Sequence, residues 1–142
     1  MKTSTRNFLI GKVSDIREGM SHDDVEVMVG DSRLVATITR RECEELGLKV
    51  GAEVVALIKG SSIIVVAHPH RLNFPSTNHL HGVVTQIRTD DHNGEVVVEL
   101  DSGESIAAFI TQGSLEGMRL EVGSRASVHF KSTSVFLATR QM

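Results

Sequence analysis

Thr3-Ser4-Thr5-Arg6-Asn7-Phe8-Leu9-Ile10-Gly11-Lys12-Val13 returns in altered form as Phe74-Pro75-Ser76-Thr77-Asn78-His79-Leu80-His81-Gly82-Val83-Val84. Asn7, Leu9, Gly11 and Val13 recur at Asn78, Leu80, Gly82 and Val84, and Ile16-Arg17 recurs as Ile87-Arg88. Further on, Ala36, Ile38, Thr39, Leu48, Val50, Gly51, Lys59 and Ser62 recur at Ala108, Ile110, Thr111, Leu120, Val122, Gly123, Lys131 and Ser134. A period this long marks a duplicated small domain rather than a solenoid unit. The chain therefore divides into residues 1–67, a linker 68–75 that holds both prolines, and residues 76–142. Units of this size sit near the lower limit for a self-sufficient core, so the copies are expected to pack on each other or on other chains.

Working outward from the repeat, each copy reads as five short strands with one short helix. Val25, Val27 and Val29 alternate with the period of a strand that buries one face. Leu34 to Ile38 returns after Gly30-Asp31-Ser32 as the second arm of a hairpin. Thr39 with Glu42 three residues on makes a capping-box pattern, opening a helix from Arg40 to Leu46 that stops at Gly47. Strands Glu53 to Ile58 and Ser62 to Val66 then flank Lys59-Gly60-Ser61, read as a hairpin turn. The second copy repeats the plan over His81–Ile87, Glu95–Leu100, Ser105–Ile110, Arg125–Phe130 and Ser134–Ala138, with its helix beginning after Thr111. The expected fold class is all-β: two tandem five-stranded barrels of the OB type, each with one short helix between its third and fourth strands.

Composition narrows the function. A net charge of −3 and the absence of Trp and Tyr argue against a nucleic-acid groove, which combines basic charge with stacking aromatics. Cys43 is the only cysteine, which excludes a disulfide or a CxxC site within the chain. The opening residues lack the apolar run of a secretory signal, and no stretch approaches the roughly 20 apolar residues that span a bilayer, so no membrane partner is expected and a cytoplasmic location is. No nucleophile elbow or paired catalytic carboxylates appear, so no enzyme activity is expected. Among the seven histidines, His79 and His81 share one strand face, as His68 and His70 would if extended, but zinc wants three or four protein ligands and no such cluster repeats in the first copy, so no metal site is expected.

The Ser-x-Arg-Asn start at Ser4–Asn7, the Gly-x-Val at Gly11–Val13, the Ala-x-Ile-Thr strand end at Ala36–Thr39, Leu-x-Val-Gly at Leu48–Gly51 and Ile-Lys-x-Ser-Ser at Ile58–Ser62 resemble the Mop domain. That is the TOBE/OB-type module of the molbindins, also found in molybdate-responsive regulators and transporter ATPases. The resemblance covers nearly the whole chain, twice. The chain has no GxxxxGK[ST] phosphate loop and no room for a helix-turn-helix, so a free-standing tandem molbindin is what the resemblance implies. It implies a non-catalytic cytoplasmic protein that binds molybdate or tungstate for molybdenum storage or homeostasis, assembled as a homotrimer. The rival reading is a Mop-like interaction module whose anion site is degenerate.

Molybdate is a dianion that only accepts hydrogen bonds, so its pocket needs N–H groups, hydroxyls and cations and no carboxylate. The resemblance implies pockets between domains, to which the first copy brings Ser4, Arg6, Asn7, Thr39, Lys59 and Ser61 and the second Asn78, Thr111, Ser114, Lys131 and Ser132. Pro75 and Thr77 stand where Ser4 and Arg6 stand, and Glu42 stands where Ser114 stands. The expectation is asymmetry. One site takes Ser4, Arg6 and Asn7 with Thr111, Ser114, Lys131 and Ser132, and a weaker reciprocal site takes Thr39, Lys59, Ser61 and Asn78. Glu42 would repel a dianion there unless it turns away to cap its helix. Asn7 and Asn78 also read as backbone-fixing residues, and Gly11 and Gly82 as points of close backbone approach.

Overall fold

The computed structural model describes residues 7–68 and 77–140, with Thr77 described in its backbone alone. In the first half, β1 (Asn7–Glu18), β2 (His22–Val29) and β3 (Ser32–Thr39) lead into α1 (Arg40–Leu46), followed by β4 (Glu53–Ile58) and β5 (Ile64–Ala67). The second half repeats this as β6 (Thr77–Thr89), β7 (Asn93–Leu100), β8 (Ser105–Thr111), α2 (Gln112–Met118), β9 (Arg125–Lys131) and β10 (Val135–Ala138). The expected layout of five strands and one helix per copy is present.

Alternation fixes which face is buried. Val25, Val27 and Val29 on β2 and Leu34, Ala36 and Ile38 on β3 turn inward and are almost wholly buried. Leu9 and Val13 on β1 join them, and Leu80, Val84, Val96, Val98, Ile106 and Ala108 do the same in the second half. Buried residues of both halves form one continuous cluster, with Phe130 and Val135 of the second half in the same core as Ile58 and Ile63 of the first. Two units near the lower limit for a self-sufficient core thus share one interior.

The β1–β2 pairing shifts register between Val13 and Asp15, and the β6–β7 pairing shifts between Val84 and Gln86. These bulges fall at the same point of the repeat and add twist, which lets each long first strand curl across its sheet. Gly11 and Gly82 are places of close approach: a Cβ would lie 2.4 Å from the Met28 carbonyl oxygen at the first and 2.1 Å from that of Glu99 at the second.

The sheets do not follow the sequence halves. One runs β10-β4-β1-β2-β3 and the other β5-β9-β6-β7-β8. β5 pairs antiparallel with β9, Ile64 opposite His129, and β10 pairs with β4, Val135 opposite Ile58. Each half gives its last strand to the other. This corrects the hairpin reading of Lys59-Gly60-Ser61: β4 and β5 lie in different sheets, and Gly60–Ser62 is a 3-10 turn that carries the chain across. Ser132–Ser134 is the equivalent crossing turn of the second half.

Candidate functional site

The exchange creates two equivalent junctions, each formed by a crossing turn of one half against the third strand of the other. The Gly60–Ser62 turn packs on β8, and the Ser132–Ser134 turn packs on β3. Buried asparagines pin both. Asn7 Nδ2 donates to the Ala107 carbonyl at 2.7 Å, and its Oδ1 accepts from the Ala107 N–H at 2.7 Å. Asn78 makes the same pair with Val35, at 2.8 and 2.7 Å. Both carboxamides are thereby spent on backbone, leaving a ligand one N–H at most from each.

The residues expected to bind oxyanion divide between these junctions. Asn7, Lys59 and Ser61 belong to the first, where β8 runs on to Thr111 and Ser114. Asn78, Lys131 and Ser132 belong to the second, where β3 runs on to Thr39 and Glu42; Thr77 is registered opposite Lys131. Within one chain, then, the strand packing sets Lys131 and Ser132 beside β3 and leaves Thr111 and Ser114 with β8. The expected pocket thus draws Thr111 and Ser114 from one junction and Lys131 and Ser132 from the other. Ser4 and Arg6 lie outside the described residues. Both lysines are exposed.

The junctions differ in chemistry. At the second, Ser132 is buried and its Oγ lies 2.8 Å from Thr37 Oγ1, which itself donates to Asp24 Oδ1 at 2.6 Å. At the first, the repeat replaces Ser132 by Gly60 and Thr37 by Phe109. A Cβ on Gly60 would lie 2.7 Å from Phe109 Cδ2, so the aromatic ring lies directly on the turn. Sequence reasoning missed Thr37 and Phe109, because neither belongs to a motif and the exchange that brings them to the crossing turns leaves no local signal.

The helix starts differ as well. Thr39 caps α1, accepting from the Glu42 N–H at 3.1 Å, while Glu42 Oε1 accepts from the Thr39 hydroxyl at 2.9 Å and its N–H at 3.3 Å. Glu42 does turn back to cap its own helix, and its carboxylate occupies that terminus. At α2 the Thr111 hydroxyl accepts from the Ser114 N–H at 3.2 Å, the Thr111 and Ser114 hydroxyls are 2.9 Å apart, and the first turn holds no acid. The start of α2 therefore presents exposed hydroxyls with no carboxylate in its own first turn, although the Asp90-Asp91 turn adjoins it. The start of α1 has both a carboxylate of its own and Asp24 on the neighbouring strand.

Away from the junctions, a cleft of about 380 Å³ in the first half is lined by Asp23, Arg40, Cys43 and Lys49 among others. Asp23 is buried with the Arg40 guanidinium 3.4 Å away. Burial, and then the Asp23 carboxylate, push the Cys43 thiol above its ordinary value. Among the described residues no group of three His, Cys, Asp or Glu is arranged to hold a metal ion.

These features recur in known proteins. The TOBE domain matches residues 3–65 and again 76–137. The chain is 37% identical over 139 residues to the molybdenum transport protein ModE of Azotobacter vinelandii, covering 97% of this chain and 51% of that one. It is 35% identical over 139 residues to the molybdenum-pterin-binding protein MopA of Rhodobacter capsulatus, covering 97% and 52%. It thus spans about half the length of these curated relatives. A crystal structure of the cytoplasmic molybdate-binding protein ModG with molybdate bound superposes with a TM-score of 0.94 at 30% identity, covering 99% of this chain and 100% of that one. Two matched repeats, ten strands in two OB-type sheets and a likeness over nearly the whole chain agree: the chain belongs to the TOBE-domain family and carries its domain twice.

Proposed function

We propose that this chain is a non-catalytic binding protein for molybdate or tungstate, working in the cytoplasm in molybdenum storage or homeostasis as a homotrimer. The observation that carries the reading is its likeness, over the whole chain, to a structure with molybdate bound. The chemistry of the junctions supports it: hydroxyls, N–H groups and lysines gather there, and only one helix carries an acid in its first turn.

The tight site takes Ser4, Arg6, Thr111 and Ser114, and Asn7 is clamped to Ala107 on β8. A lysine completes it. Lys59 is the lysine at that junction within one protomer, whereas Lys131 reaches it only from another protomer. The reciprocal site at Thr39, Asn78, Lys131 and Ser132 is weak, because Thr77 replaces Arg6 and the carboxylates of Asp24 and Glu42 repel a dianion. Sulfate is excluded by size, and protonated phosphate by the lack of an acceptor.

Substitution tests this directly. Arg6→Ala is expected to abolish tight molybdate binding in a calorimetric titration. Loss with Lys59→Ala puts the pocket within one protomer, and loss with Lys131→Ala puts it between protomers. Wild-type affinity in all three variants would overturn the reading. The missing hydroxyl and cation at Pro75 and Thr77 favour a second reading, an interaction module with a spent anion site, which predicts no heat with molybdate even from the wild-type chain.

A further inference from the structure

The outward faces of the two sheets are equivalent by the repeat but not in chemistry. On the first, Phe8 stands opposite Leu57 and Ile10 opposite Val55. The matching positions on the second are His79 opposite His129 and His81 opposite Ser127. The His79 ring stacks on His129 with centroids 5.9 Å apart and meets His81 edge-on at 5.8 Å. His129 is only 6% exposed, and its Nε2 shares a hydrogen bond of 2.8 Å with Ser127 Oγ. On its other side lies β5, the strand given by the first half, with Ile64 registered opposite His129 and Val66 opposite Ser127.

We propose that this stacked histidine cluster makes the seam between β5, β9 and β6 acid-labile, so that forming imidazolium rings there loosens the exchanged strand. A charge on His129 forms against the His79 ring, which in turn meets His81 within 6 Å. A proton on His129 also puts a cation on a ring that is almost wholly buried. Among the charged groups of the surrounding elements, the Arg125 guanidinium and then His81 hold the exposed Asp101 carboxyl below its ordinary value. Arg125 and Lys131 on β9 are themselves cations, and His68 follows β5. Glu99 on β7 stands opposite Val83, and Asp101 just beyond β7 is held by Arg125 at 3.0 Å.

Burial first, then the His79 and His81 charges, lower the His129 imidazole below its ordinary value, in agreement with this geometry. With the folded value below the unfolded one, the unfolded chain binds the proton more tightly. The seam therefore keeps its full stability above about pH 6.5 and loses it as pH falls through the depressed value.

Hydrogen exchange on the full chain tests the device. Between pH 7.5 and 5.5, corrected for intrinsic rates, opening of the β5, β6 and β9 amides is expected to rise about tenfold relative to β2 and β3. His129→Leu, which installs the equivalent residue of the first sheet, is expected to remove that rise. Should it fail to fold, His79→Phe with His81→Ile makes the same exchange on exposed positions. His22→Gln, far from the cluster in sequence and sheet, is expected to keep the rise. No rise in the wild type, or the same rise in the cluster variants, would overturn the proposal.

Discussion

At the scale of single residues, the recurrence of Asn7 as Asn78 and of Gly11 as Gly82 was legible, and so was their structural character. What each asparagine grips was not, because its backbone partner lies 100 residues away for Asn7 and 43 for Asn78. Asn7→Ala leaves both backbone groups of buried Ala107 without a partner, so a loss of about 2–4 kcal/mol in urea unfolding is expected. A loss below half a kcal/mol would mean that water or a neighbour replaces the side chain. Cys43 gives a second check: its raised thiol pKa and burial predict that the native protein resists iodoacetamide at pH 7.5 and reacts once unfolded.

At the scale of elements, both helices and their starts were readable, since capping chemistry is local. The crossing turns were not. Lys59-Gly60-Ser61 between two β-rich runs has the signature of a hairpin, and only the pairing of β5 with β9 and β10 with β4 removes that reading. Local propensity settles that a turn forms there but not which sheet receives the next strand. The contrast between the helix starts makes its own prediction. Ser114→Glu would give α2 the carboxylate that α1 already has, and is expected to weaken molybdate binding at least tenfold in calorimetry while leaving stability within about 1 kcal/mol. Thr39→Ala should cost about 1 kcal/mol by urea unfolding and leave binding at the tight site unchanged.

At the scale of the whole molecule, strand exchange makes the halves interdependent in a way the clean sequence boundary hides. A fragment of residues 1–67 keeps β5 but loses β10, exposing the edge of β4, and loses the Asn78 clamp on β3. Such a fragment is expected to sediment either as a strand-exchanged dimer or as an unfolded chain; a stable folded monomer would contradict the shared core. The repeat also frames the asymmetry we propose between the two sites. Duplication gave two equivalent junctions, and Thr77, Glu42, Thr37 and Phe109 record how far they have since diverged.

Calorimetric titration of the full chain with molybdate, repeated in excess sulfate, tests the central claim most directly. The account predicts tight binding that sulfate does not displace, with fewer strong sites than two per chain. Two equal strong sites per chain, or no heat at all, would contradict it.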